Sequence, residues 1–336
     1  MDLDLSQNRF WGSLGLDLTS FTELKFLSLS QNLLNGSLSE SIGQLSSLEV
    51  LDLSGNSLNG VITEAHFLNL SRLQSFDVSD NSALSINLSS NWNPPFQLND
   101  LYMSSCKVGP AFPKWIQTQR NLTNLHINNA GLILDSLPEK FLDQFSGLED
   151  LDLSLNHIHG KLPNFSTSLL KYVNLSSNLF SGALPSFPPT IQYLILSENK
   201  LSGPLSSLCA TQAPNFFLLD LSVNLLSGEL PNCWMQFPAL ELLNLGKNKF
   251  SGKLPISLGN LQLLWILRLH GNNFSGELLS SIHVLDLSQN NLSGALPHCF
   301  SNITASSDDT SVFGFVEIVW KGVKTEFGGN LAHLRS

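Results

Sequence analysis

The chain has 336 residues, 42% of them hydrophobic and only 13% charged, with a formal net charge of −10. Phosphate binding needs a basic stripe and none is visible, which argues against a nucleic-acid partner, and no apolar run is long enough to span a membrane. The hydrophobic share is enough for a sizeable core, and much of the polarity comes from Ser and Asn, whose side chains serve turns and carry glycans.

In chain order the sequence is one unit copied with variations. Counting back from Leu5, the first apolar slot of the first copy falls before Met1, so the chain reads as starting inside a coil, without a signal peptide or a cysteine-paired cap. A polar slot then recurs at Asn8, Asn32, Asn56, Asn81, Cys106, Ala130, Asn156, Asn178, Asn199, Asn224, Asn248, Asn272 and Asn290, mostly 24 or 25 residues apart. Residues 148 to 163 show the unit. Leu148, Leu151, Leu153 and Ile158 point inward, and Asn156 stands where the chain leaves a short strand. This is the L-x-x-L-x-L-x-x-N leucine-rich repeat. No copy can bury its own leucines, so the copies must stack. The fold expected is an α/β leucine-rich repeat solenoid with a parallel concave sheet and irregular or 3-10 convex arcs. Cys106 can fill the slot. Ala130 cannot make its hydrogen bonds, so that coil should be held less firmly.

After most slots comes a second signature, as in Leu-Ser-Gly-Glu-Leu-Pro at 226–231, Phe-Ser-Gly-Lys-Leu-Pro at 250–255 and Leu-Ser-Gly-Ala-Leu-Pro at 292–297. Glycine permits the tight turn and proline, with no N–H to donate, ends the pairing. Between Asn272 and Asn290 six residues are missing from the arc, so that coil reads as damaged. From Phe300 to Gly329 the repeat stops. A polar stretch precedes a strand-like run, Val312 to Trp320, and Leu331 and Leu334 then begin a further coil cut short at Ser336. The organisation expected is an array over 1–299, a non-repeat island over 300–330 and a truncated repeat over 331–336, the whole a fragment.

The cysteines divide by position. Cys209 and Cys233 have nearly the same phase in consecutive coils, and strands about 4.8 Å apart suit a disulfide. Cys299 shares the phase three coils on, too far to pair, and Cys106 reads as a buried thiol; the alternative is four free thiols. N-x-S/T sequons fall at Asn35, Asn69, Asn87, Asn121, Asn164, Asn174, Asn273, Asn291 and Asn302, and nine of them favour the secretory pathway. Asp4, Asp52, Asp77, Asp152, Asp220 and Asp286 recur at one repeat position. Catalysis by a carboxylate pair needs two different environments, whereas a ladder of identical carboxylates is a feature of the repeat. His157 and His159 are two candidate ligands without a third, so no metal, cofactor or catalytic residue is expected.

What remains is a recognition surface. Side chains alternate along a strand, so the residues between the leucines face out. In coils five to seven these are Asp100, Tyr102, Asn124, His126, Asp150 and Asp152. In coils eight to twelve they are Tyr172, Tyr193, Ile195, Leu218, Leu242, Ile266, Arg268 and His270. Apolar side chains on a solvent-facing strand have no packing duty and mark a binding site, unless they merely cover their neighbours. A glycan at Asn174 would narrow this face.

The G-x-L-P repeats and the island with Ile318-Val319-Trp320-Lys321-Gly322 followed by Glu326-Phe327 resemble plant receptor-like proteins, the immune class that includes the Cf receptors and the receptors for fungal ethylene-inducing xylanase. The resemblance covers nearly the whole chain. It implies a right-handed superhelix with a second short strand per coil, and a secreted ectodomain on the extracellular face of the plasma membrane that binds an extracellular polypeptide or cell-wall-derived ligand. It also places the island beside a co-receptor kinase ectodomain. Phe315, Trp320 and Lys321 are then expected to fold near Ile266, Arg268 and His270 as one composite site. The alternatives are a secreted inhibitor of a microbial cell-wall-degrading enzyme, similar to polygalacturonase-inhibiting proteins, and a receptor-kinase ectodomain.

Overall fold

A computed structural model describes residues 1–13, 21–137, 141–276, 284–293, 316–320 and 323–327. The chain forms two compact units, Met1–Ser181 and Gly182–Ser336, and each is a leucine-rich-repeat α/β solenoid.

In the first unit each coil contributes one three-residue strand: β1 (Asp2–Asp4), β2 (Phe26–Ser28), β3 (Val50–Asp52), β4 (Ser75–Asp77), β5 (Asp100–Tyr102), β6 (Asn124–His126), β7 (Asp150–Asp152) and β8 (Tyr172–Asn174). They pair in parallel, each with the next. Alternation sends the middle residue of each strand inward, and Leu27, Leu51, Phe76, Leu101, Leu125, Leu151 and Val173 are all buried. Burying one such side chain is worth about 2 kcal/mol. Leu3, at the same position in β1, is only half-buried. Beyond the slots a lateral parallel sheet runs through Trp11–Ser13, Leu33–Ser37, Ser57–Ile62 and Ala83–Ile86.

In the second unit the corresponding strands are β9 (Tyr193–Ile195), β10 (Leu218–Asp220), β11 (Leu242–Asn244), β12 (Ile266–Arg268) and β13 (Val284–Asp286). These too form one parallel ladder. A lateral sheet includes Lys200–Gly203, Leu225–Glu229, Lys249–Gly252 and Asn273–Phe274. Between ladder and next coil the described arcs hold short 3-10 turns, such as Glu40–Gln44, Lys114–Thr118 and Ser206–Ala210, and one α-turn, Ile256–Gly259. None is long or apolar enough to cross a membrane.

The slot asparagines join coil to coil. Asn56 Nδ2 donates to the carbonyls of Leu53 and Ser54 in its own turn and of Leu29 one coil back, while its Oδ1 accepts from Leu34 N. Asn32, Asn81, Asn178, Asn224, Asn248, Asn272 and Asn290 repeat the scheme. The residue before the slot takes a left-handed conformation in coil after coil, even where it is Leu155 (φ 56°) or Val223 (φ 53°). At Ala130 the following asparagine compensates: Asn156 Oδ1 accepts from both Ala130 N and Leu132 N. The expected loosening of that coil is therefore offset by a fifth bond on its neighbour. Cys106 is buried and donates to Val78 O at 3.0 Å.

The short coil keeps its ladder. Asn290 reaches Leu269 O across 21 residues and Phe274 N across 16, where Asn272 spans 27 and 22. Each difference is six, so the deletion falls wholly outside the strand and slot. The arc itself, at 277–283, lies outside the described residues. In the island Val316–Trp320 pairs antiparallel with Val323–Phe327. Phe315, Lys321, Cys299, Asn302 and residues 331–336 lie outside the described residues.

Cys209 and Cys233 form a disulfide. Cys209 sits in the 3-10 turn Ser206–Ala210 and Cys233 directly before Trp234–Gln236, so the bond ties two consecutive arcs of the second unit.

Candidate functional site

The strand residues opposite the leucine core form an open face in each unit, and the two faces differ in chemistry. The third strand position explains the recurring aspartates. Asp52, Asp77, Asp152, Asp220 and Asp286 each accept, through Oδ1, the amide N–H two residues on. At four of them the serine hydroxyl there donates too. These carboxylates cap the turn off the strand. Asn174 and Asn244 do the same with Ser176 N and Gly246 N.

The open face of the first unit is polar. Asp100, Tyr102, Asn124, His126, Asp150, Asp152 and Tyr172 are all half-buried on β5 to β8 and lie side by side. Asn124 Nδ2 donates to Asp100 Oδ1 at 2.5 Å. His126 stands directly opposite Asp152 in the ladder yet bonds diagonally, Nε2 to Asp150 Oδ1, at 2.9 Å. Asp152 is already engaged, its Oδ1 by Ser154 and its Oδ2 by Asn174 Nδ2. The Tyr102 ring meets the imidazole edge-on with centroids 4.9 Å apart. Burial would push the imidazole pKa down, but the bond to and charge of Asp150, with the charges of Asp152 and Asp77, outweigh it and hold it above the ordinary 6.5. Burial and nearby carboxylates push Tyr102 up to about 12 and raise Tyr172, so both phenols stay neutral.

In the second unit the face is apolar at its first strand position. Leu218, Leu242 and Ile266 are neighbours in the ladder and pack with Tyr193 and Ile195. The three are only 5%, 7% and 8% exposed. This corrects the expectation that they stand free in solvent: they cover one another, and the accessible groups are those around them. Among these are Phe217 and Trp265, which precede β10 and β12 and which the inward–outward pattern alone does not pick out. Trp265 is 44% exposed, and Phe217 lies 5.8 Å from Tyr193 between ring centroids. Their position carries Lys25, Glu49, Gln74, Glu149 and Lys171 in other coils, so a polar-to-aromatic switch is the signal that marks them.

Arg268 is half-buried beside this cluster, in register with Asn244 and Asp286. His270 Nδ1 lies 3.1 Å from Asp286 Oδ2. Burial would raise the Asp286 pKa, but His270 and the Ser288 bonds overcome it and lower it to about 2. The ring rests over Gly246, where a Cβ would come within 2.4 Å of it. Gly246 is therefore clearance for His270 rather than a repeat turn.

His157 and His159 are exposed on either side of buried Ile158, and among the described residues no three His, Cys, Asp or Glu side chains are grouped to hold a metal. A recess of about 520 Å³ in the first unit is lined by Glu49, Gln74 and Asn99, which precede β3, β4 and β5, with Arg72, Pro95 and Phe96. It lies beside the strand starts. Trp320 ends the strand Val316–Trp320.

The sequon asparagines Asn35, Asn69, Asn87, Asn121, Asn164, Asn273 and Asn291 are exposed. None lies on β1 to β13. Asn174 is the exception, on β8 and half-buried, with Nδ2 donating to Asp152 Oδ2 and Ser154 Oγ, and Oδ1 accepting from Ser176.

The Leucine Rich Repeat family model matches residues 23–45, 47–70, 239–261 and 281–303. Receptor-like protein EIX2 of Solanum lycopersicum is 47% identical over 175 residues, which are 52% of this chain and 17% of that protein. The crystal structure of PEPR1-AtPEP1 is similar with a TM-score of 0.74 and 30% identity, covering 89% of this chain and 43% of that one. The crystal structure of a TDR receptor is similar with a TM-score of 0.79 and 26% identity, covering 90% and 57%. The chain spans between 12% and 20% of the length of the curated relatives it matches.

Proposed function

From a leucine-rich-repeat chain related to plant receptor-like proteins, we propose a ligand-recognition segment of a receptor ectodomain on the extracellular face of the plasma membrane, acting in immune signalling through a co-receptor kinase. The observation that carries this reading is the open strand face. It holds half-buried aromatic, apolar and charged side chains, while the exposed sequon asparagines lie off it. A row of such groups suits an extended polypeptide or a cell-wall-derived chain, whose apolar anchors would meet Tyr193, Ile195, Phe217 and Trp265 of the second unit, and whose acidic group would meet Arg268. The function is binding without chemistry, because the repeated carboxylates that would serve a reaction are used up as turn caps. The island, with Phe315, Trp320 and Lys321, is the proposed co-receptor contact.

The test places this segment in its full-length receptor in leaf tissue and treats it with a fungal secretome containing ethylene-inducing xylanase. Co-receptor recruitment is measured for Tyr193→Ala with Ile195→Ala, for Trp320→Ala, and for Gln262→Ala, an exposed residue of the arc before β12. Recruitment is expected to fall at least about tenfold in the first two, as loss of interface hot spots does, and to persist in the third. Equal recruitment in all three, with each at the cell surface, would sink the reading.

A further inference from the structure

We propose that His126 is a proton-operated clamp on the open face of the first unit: protonated, it ties β6 to β7 through Asp150 and offsets part of the surrounding carboxylate charge, and deprotonated it loosens that tie. This goes beyond the recognition reading and does not depend on any ligand.

The geometry is specific to this coil. The same strand position holds Asp4, Ser28, Asp52, Asp77, Tyr102, Asp152 and Asn174 elsewhere in the unit, all of them small, acidic or neutral. Here it holds an imidazole, one nitrogen of which lies 2.9 Å from Asp150 Oδ1, with both side chains about a third exposed or less (27% and 31%). The charged and titratable groups facing it come from every strand packed nearby. They are Asp77 on β4, Asp100 and Tyr102 on the adjacent β5, and Asp150 and Asp152 on the adjacent β7. None is cationic. The nearest lysine in the neighbouring strand starts, Lys171, is paired with Glu149 at 2.6 Å. The imidazolium is thus the only positive charge these strands can supply, and proton gain and loss change both the strand tie and the charge of the face.

The sign follows from linkage. The folded chain holds the imidazole above its ordinary 6.5, so the protonated form stabilises the fold. That stabilisation is complete below the unfolded value and is lost as pH rises through the folded one.

The experiment uses the whole chain. Its histidine ring signals are followed by NMR from about pH 5 to about pH 8, the range in which histidine titrates. The His126 signal is the one that disappears in His126→Gln. Its midpoint is expected above the ordinary histidine value, and Asp150→Asn should move it down. In parallel, melting temperatures are compared across the same range, and wild type should lose its margin over His126→Gln as the pH rises. His157→Gln, an exposed histidine, should leave the wild-type pattern unchanged. Polar residues fill this position in neighbouring coils, so the Gln variant is compatible with the fold; if it fails to fold, the Asp150→Asn titration still decides. A His126 midpoint at or below the ordinary value, a midpoint insensitive to Asp150→Asn, or wild type and His126→Gln moving in parallel would each overturn the proposal.

Discussion

Asn156 shows what a single slot residue does. Its amide nitrogen serves Ile127 O, Leu153 O and Ser154 O, and its oxygen serves Ala130 N and Leu132 N. Truncation to alanine leaves five backbone groups without these partners in a buried turn, and each orphaned group costs about 1–3 kcal/mol. Relaxation and water will recover part of this, so Asn156→Ala should lower stability by about 3 kcal/mol or more. Among the described residues Asn8 bonds Leu5 O and Ser6 O, and it is exposed, so Asn8→Ala should cost about 1 kcal/mol or less. Urea unfolding midpoints for the two variants check this, and equal midpoints would contradict it. The slot was legible in the sequence because asparagine recurs there. The compensation at Ala130 was not, because it depends on one oxygen reaching two amides in the preceding coil. Gly246 was equally hidden: a glycine where most coils carry serine reads as another turn until His270 is seen lying over it.

At the scale of the element, the repeat pattern located the inner strands β1 to β13 among the described residues, because three-residue strands with an inward middle side chain follow directly from L-x-L alternation. The open face was legible only in part. Which residues point out follows from alternation, but how far they remain exposed depends on the neighbours in register. Leu218, Leu242 and Ile266 are buried by adjacency, a property of three coils at once. Alternation also says nothing of the residue before each strand, which is where Phe217 and Trp265 stand. The disulfide belongs to this scale, since it fastens one arc to the next across 24 residues. Closing a loop of that length removes chain entropy worth about 3 kcal/mol from the unfolded state. Replacing Cys209 and Cys233 together by serine should therefore lower stability by about that amount, and reduction of the wild type should reproduce the loss. If the double variant and the oxidised wild type unfold at the same denaturant concentration, the bond contributes nothing.

For the whole molecule the question is which surface is left for partners, and glycans decide much of it. Seven sequon asparagines are exposed on lateral strands, turns and arcs, where a branched sugar meets no neighbouring strand. Asn174 differs. Both amide hydrogens are taken, by Asp152 Oδ2 at 3.1 Å and Ser154 Oγ at 3.3 Å, and its oxygen caps the turn at Ser176. Attaching a sugar to Nδ2 removes one hydrogen, so one of the two bonds to Asp152 Oδ2 and Ser154 Oγ on the β7 side is lost and the saccharide takes its place there. Material secreted by plant cells and treated in heavy-oxygen water with a peptide:N-glycosidase, which hydrolyses the glycosylated side-chain amide and leaves aspartate, should show the deglycosylation mass tag at exposed sites such as Asn35, Asn121 and Asn164, and no tag at Asn174. Asn174→Gln should then leave the glycan mass unchanged, while Asn121→Gln reduces it by one chain. A tag at Asn174 in folded, secreted protein would place a sugar on the open face of the first unit. Docking on β7 and β8 would then be blocked, and the recognition surface would have to be sought around Tyr193, Phe217 and Trp265 alone.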